Sequence, residues 1–256
     1  MADFERKLVL KADGKVVEGS FRMHLSGRES IGLYPMPYML HCWNLDEDTY
    51  LLLSRSGQIS VEHDLQVLAA GDVADVFRYI TEDGTVTAVC FTLGLKLWEA
   101  PVSLSLEAGV SVSETVAALL EASGTGISLL TYTGSDPLAV RGQAFFGRAA
   151  ESLAVSLSAA NARGYLVESG LCVLPEEDPP VSLVISEEDM LTDPEFPNGD
   201  LAVFRLKVAG WQIGKKIEAH WGMKSLKGII LERMVDADNS TGPWYSEILV
   251  EVRRGE

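Results

Sequence analysis

Apolar residues at Phe146, Ala149, Ala150, Leu153, Leu157 and Ala160 follow the three-and-four spacing of one helix face. The spacing predicts a helix there, with Gly164 placed to end it in a left-handed turn. Tyr165 to Val167 and Leu171 to Leu174 then predict two strands across a tight turn at Ser169-Gly170. Upstream, Ser111-Val112-Ser113-Glu114 is a capping box, in which the Ser hydroxyl and the Glu carboxylate close the first helical turn reciprocally. Val116, Leu119 and Leu120 form that helix's apolar face, and Gly124 is its stop. Leu129 to Tyr132 predicts a strand and Thr133 to Leu138 a polar loop. Residues 107–178 therefore read as an α+β module, two helices on a small sheet.

Outside this module the pattern is that of short strands. Lys7 to Lys11 and Lys15 to Leu25 flank the hairpin signal Asp13-Gly14; Asp75 to Thr81 and Thr85 to Leu97 flank Asp83-Gly84. Tyr38 to Asn44, Gln58 to Glu62, Asp64 to Ala69 and Val102 to Leu106 are further strands. Pro35 and Pro37 bar Tyr34 to Pro37 from a central strand, since proline lacks the ladder donor. Leu45 to Arg55 fits two readings: a short helix opened by Asp46, Glu47 and Asp48, or a strand over Thr49 to Leu53. After the charged, proline-stiffened run Glu176 to Pro180, strands are predicted at Val181 to Ile185, Leu201 to Val208, Lys216 to His220, Leu226 to Asp236 and Tyr245 to Arg253. No short-period repeat is present. The expected fold class is mixed β with α+β: small β-barrel-like domains at 1–106 and 179–256 around the α+β module at 107–178.

Charge narrows the function. The 256 residues carry 21 Lys+Arg against 37 Asp+Glu, a net charge of −16. The excess is spread: 9 basic against 15 acidic residues in 1–106, 3 against 9 in 107–178, and 9 against 13 in 179–256. With no basic stripe to neutralise phosphates, tight nucleic-acid binding is not expected. The opening MADFERKLVL is too charged for a signal peptide. No apolar run approaches the roughly 18 residues of a membrane helix, so no membrane segment is expected. Cys42, Cys90 and Cys172 sit beside apolar or aromatic residues, and buried, reduced thiols in strands are expected.

Candidate chemistry is sparse. His24, His41, His63 and His220 show no ligand spacing, and the chain has no HExxH, CxxC, GxSxG, GxGxxG or P-loop pattern. His41 and Cys42, adjacent on a predicted strand, point to opposite faces. Asp46-Glu47-Asp48 and Glu187-Glu188-Asp189 lack the spaced oxygens and glycine of a calcium loop and read as solvated acidic turns. Asn239-Ser240-Thr241 matches a glycosylation triplet, without a secretion signal to give it use. Trp98, Trp211, Trp221 and Trp244 lie near strand ends, where core filling is the default and a sugar or protein platform the alternative. No catalytic residue, cofactor or metal site is assigned.

Phe146-Gly147-Arg148-Ala149-Ala150 through Leu153, followed by Gly164 to Pro175, resembles a phrase that runs through the tail-hub (baseplate hub, late-control) proteins of tailed bacteriophages. Val110 to Gly124 is similar to the helix that precedes it there. Ile229 to Met234, Asp236 to Asn239 and Trp244 to Val250 are similar to the family's closing segment. Two places depart from it: Glu232-Arg233 replaces a histidine, and Trp211 to Lys215 differs from the usual bend. The resemblance implies a non-enzymatic hub without cofactors, in which three copies form a pseudo-sixfold ring of paired barrel domains. It implies a tail tube and a spike as partners, a DNA passage through the ring, and residence in the virion tail after synthesis in the host cytoplasm. Two other readings stand beside it. One is a tail-tip carbohydrate or receptor-binding module using exposed Trp and Tyr. The other is a cell-wall hydrolase, for which no acid–nucleophile pair is visible.

Overall fold

The computed structural model describes residues 6–133, 135–167, 170–175 and 181–252. The chain opens with β1 (Val9–Ala12), β2 (Lys15–Val16), β3 (Met23–Ser30), β4 (Tyr38–Trp43), α1 (Glu47–Arg55), β5 (Gln58–His63), β6 (Gln66–Thr81) and β7 (Gly84–Thr92). It continues through α2 (Leu95–Glu99), β8 (Pro101–Leu106), α3 (Val112–Ser123), β9 (Ser128–Tyr132), β10 (Gln143–Arg148), α4 (Ala149–Ala159), β11 (Ala162–Val167) and β12 (Gly170–Pro175). It closes with β13 (Val181–Ile185), β14 (Glu195–Asn198), β15 (Leu201–Leu206), β16 (Lys216–Trp221), β17 (Lys224–Asp238) and β18 (Trp244–Val252).

Local chemistry explains the elements. In β4, Tyr38, Leu40 and Cys42 turn inward while Met39, His41 and Trp43 face the other way, the period-two alternation of a half-buried strand. Between the two readings of Leu45 to Arg55 the helix prevails, because Asp46 accepts the Thr49 N–H at 2.7 Å and caps α1. Ser111 and Glu114 complete the capping box of α3, and Gly124 ends it in the left-handed region at φ 64°.

By contacts the described chain forms two units. One contains Met36–Thr92 with the residues before Ile31 and from Val181 onward; the other contains Ile31–Pro35 and the residues from Leu93 to the run at 176–180. In the second unit, β11, β12 and β9 form one small sheet and β8 pairs with β10 in another. The helices close over a core of Leu97, Val116, Leu119, Leu153, Leu157 and Leu171. Three expectations are corrected here. The helix begins at Ala149; Phe146, counted on its apolar face, lies in β10 and is 75% exposed. The left-handed residue after α4 is Asn161 at φ 50°, while Gly164 lies in β11 with Leu157 Cδ1 only 2.6 Å from where a Cβ would stand. Residues 93–97 leave the predicted strand at Gly94 and turn into α2. Part of the turn at Ser169-Gly170 and the run Glu176 to Pro180 lie outside the described residues.

The other unit is one 13-stranded sheet that contains the same strand order twice. One set runs β3-β4-β7-β6-β5-β1 and the other β14-β15-β18-β17, with β17 pairing β16 and β16 pairing β13. In chain order, β1, β3, β4, β5, β6 and β7 thus correspond to β13 through β18. The register repeats as well. Val73 pairs with Phe91 and, after a slip, Asp75 with Cys90; Ile230 pairs with Val250 and, after a slip, Glu232 with Leu249. Tyr38↔Phe91 and Leu40↔Val89 recur as Ala202↔Val250 and Phe204↔Ile248. Two-residue turns, Asp64-Leu65 and Gly222-Met223, lead into β6 and β17. One pairing differs: β1 meets β5 antiparallel, β13 meets β16 parallel. Neither set closes into the expected barrel among the described residues. β17 instead spends its second half on β3, so the two sets join edge to edge as one open sheet.

Candidate functional site

Buried and half-buried polar residues gather where the two sets meet. β3 and β17 pair antiparallel from Ser30↔Glu232 to His24↔Asp238. Arg233 of β17 is buried at this seam, donating to the Tyr38 hydroxyl at 3.0 Å and to the Leu68 carbonyl. Its Nε lies 3.1 Å from Glu29, an ion pair without hydrogen-bond alignment. Burial works against the Arg233 charge, but Tyr38 and Glu29 outweigh it and raise the guanidinium's pKa. Burial also pushes the Tyr38 phenol upward, so it stays a neutral donor–acceptor. A cation that satisfies a backbone carbonyl, a phenol and a carboxylate from three strands fixes one register.

The β17–β18 loop makes a second clamp. Asn239 accepts the Met23 N–H at 2.8 Å and donates to the Phe21 carbonyl at 3.2 Å. Arg22 meets Asp238 at 2.8 Å and lies 4.3 Å over the Trp43 ring. Burial pushes the Asp238 carboxyl up, but Arg22 and the Ser240 N–H bring it below the usual carboxylate range. The glycosylation triplet thus spends its asparagine on loop geometry.

The histidines are brought together more than their spacing indicates. His24 and His41 pair across β3 and β4 with ring centroids 6.0 Å apart, and His24 meets Asp236 at 2.7 Å. Tyr79 and Trp43 stand against His41. Burial, then the neighbouring His24, lowers the pKa of His41. Cross-strand register makes this cluster, and no spacing in the chain could announce it. His63 packs on Trp244, and His220 lies near Glu218. No group of three or more His, Cys, Asp or Glu suited to a metal occurs among the described residues.

The remaining candidates have structural employment. Asp46 caps α1, and Asp189 closes a 3-10 turn with Ser186. Cys42 is buried, which pushes its thiol up to about 12; Cys90 and Cys172 are half-buried, and all three are free. Trp98 stacks against Tyr34, Trp211 donates to the Lys207 carbonyl, and Trp221 meets Phe204 edge-on. Every tryptophan is half-buried.

Besides the ends at β2 and β13, two edges of the sheet stand at equivalent places in the doubled strand order. From Asp75 to Thr81, β6 pairs with β7 on one side and carries no strand on the other among the described residues. Phe77, Tyr79 and Ile80 are exposed there. At the far end of the sheet, β14 pairs only with β15 among the described residues, and its Phe196 is exposed. Paired backbone groups on one side only invite a further strand.

No protein-family model matches the sequence, and no curated protein matches it. Solved structures do. A tail protein from Neisseria meningitidis MC58 superposes with a TM-score of 0.70 at 10% identity, covering 95% of each chain. The 43 kDa tail protein of prophage MuSo2 from Shewanella oneidensis gives 0.71 at 11% identity over 97% of each chain. An E. coli type VI secretion component, structurally similar to the T4 tail proteins gp27 and gp5, gives 0.66 at 9% identity, covering 96% of this chain and 77% of that one. The chain has the fold of these tail proteins along nearly its whole length.

Proposed function

We propose that the chain is a structural hub of a phage or prophage tail, a homotrimeric ring that joins the tail tube to the spike. The observation that carries the reading is the strand order written twice in one sheet. Three copies of a doubled module present six similar units around a ring, while the α+β unit occurs three times. An adaptor between a sixfold tube and a threefold spike needs that pair of numbers in one chain. The shared fold with tail and secretion proteins supports the same role.

The hub works through surfaces and not through covalent chemistry: the polar clusters described above hold strands in register. Its partners are its own copies, the tube protein and the spike protein, and its place is the virion tail after synthesis in the bacterial cytoplasm. The net charge of −16 suits a ring that DNA traverses, because like charge keeps the polyanion from adhering to the wall.

Light scattering on the purified chain, alone and mixed with the tube and spike proteins of the same tail, tests this. The expected mass is three times 27.8 kDa, with ring-shaped particles by electron microscopy. A chain that stays monomeric at every concentration and with both partners overturns the reading.

A further inference from the structure

We infer that the ring closes through one strand pair: the open side of β6 in one copy against β14 of the next, in the register that β17 and β3 use within the chain. The inference rests on the trimeric reading above and specifies its contact. The doubled topology fixes the register. Asp75↔Cys90 and Glu232↔Leu249 are equivalent pairs just past the slip, so β6 from Asp75 stands where β17 stands from Glu232. Tyr79 therefore occupies the place of Asp236. On the other strand, Leu40↔Val89 and Phe204↔Ile248 are equivalent, which makes Met39 the counterpart of Val203. Met39 pairs with Ser26 and Val203 with Glu195, so Glu195 occupies the place of Ser26. Asp236 pairs with Ser26 inside the chain. Between copies, Tyr79 pairs with Glu195.

Side chains at the two edges suit this partner. β17 receives β3 on the side away from β18; the same side of β6, away from β7, is the open one. Phe77 and Ile80 on one edge and Phe196 on the other are exposed apolar groups that the pairing covers. Side-chain volume differs between the equivalent positions Tyr38 and Ala202. At the internal seam, a Cβ on Gly27 would lie 2.4 Å from Tyr38 Cδ1, so Tyr38 fills the space beside a glycine. In the other set Ala202 takes the place of Tyr38, and Phe196 follows Glu195 at the slip that separates Glu195↔Val203 from Asn198↔Leu201. Val76 stands where Arg233 stands, so the seam between copies closes by apolar contact where the internal one uses a buried cation. Pro194 and Pro197, each without an N–H, bracket Glu195-Phe196 and keep the ladder short.

The test is a cysteine pair in the full-length chain. A background of Cys90→Ser with Cys172→Ser receives Tyr79→Cys together with Glu195→Cys, and the assembled protein is mildly oxidised. Covalent dimers and trimers are expected on a non-reducing gel, because directly opposed residues meet disulfide geometry. Each single variant, and the off-register pair Tyr79→Cys with Asn198→Cys, is expected to stay unlinked. A second variant, Phe77→Lys with Ile80→Lys, is expected to weaken trimer formation at least about tenfold while leaving the melting of the monomer unchanged. Trimers that link only off register, or that tolerate both lysines, overturn this pairing and leave the ring reading standing. A chain that never leaves the monomer overturns both.

Discussion

At the scale of single residues, the fold carries one conspicuous strain. Leu65 has φ 65° and follows Asp64 at φ 47° in the two-residue turn between β5 and β6. Such turns favour Asn-Gly, because both central residues need positive φ. Leu65 is 97% exposed, so no packing within the chain offsets the strain. Leu65→Asn is expected to stabilise the chain by about 1 kcal/mol, read as a higher urea midpoint at unchanged slope. Arg233 predicts the opposite outcome. Arg233→Ala leaves Glu29 and the Leu68 carbonyl without their cation and is expected to cost roughly 3–5 kcal/mol in the same measurement. His41 sets a pH dependence. Its pKa in the fold lies below the ordinary histidine value, so the unfolded chain takes up the proton first. Its contribution is fully present above that ordinary value and is lost as pH falls toward the lowered one. His41→Gln is therefore expected to flatten the fall in stability as pH drops below the ordinary histidine value, followed by denaturant titration at each pH.

At the scale of elements, what was legible followed from local chemistry. Ser111 and Glu114 announced α3 because a capping box is a short-range hydrogen-bond pattern. Ser111→Ala is expected to cost about 1 kcal/mol, and Ser111→Asp to restore most of it, as circular dichroism melts report. The strands β4, β7 and β17 were legible from alternation and turn residues, whereas β6 was read as two shorter strands, Asp64 to Ala69 and Asp75 to Thr81. What was not legible depended on partners distant in the chain. Phe146 shares the spacing of the α4 face, but pairing with Ser103 of β8 holds it in a strand. The open sheet in place of two barrels comes from β17 meeting β3, a contact more than 200 residues apart in sequence. The doubled strand order was hidden because Tyr38 and Ala202, or Phe91 and Val250, share burial and not identity. Cysteines read as uniformly buried split once the pleat was set: Cys42 faces the core, while Cys90 and Cys172 are half-buried.

At the scale of the whole molecule, charge sets how such a chain assembles. Each copy carries −16, and all three stretches of the sequence contribute to it. Bringing copies together into the proposed ring therefore meets a long-range repulsion that grows as it closes. The contact proposed for the seam, with Val76 in the place of Arg233, contributes burial rather than ion pairs to oppose it. Added salt shortens the Debye length from about 30 Å at 0.01 M to about 8 Å at 0.15 M, which screens the repulsion and leaves the apolar contact intact. The proposed trimer is thus expected to tighten as sodium chloride rises over that range, read as a falling dissociation constant in sedimentation equilibrium. A dissociation constant that rises with salt would mean that attraction between opposite charges holds the copies together. The seam would then have to lie at a surface richer in basic residues than either edge named here.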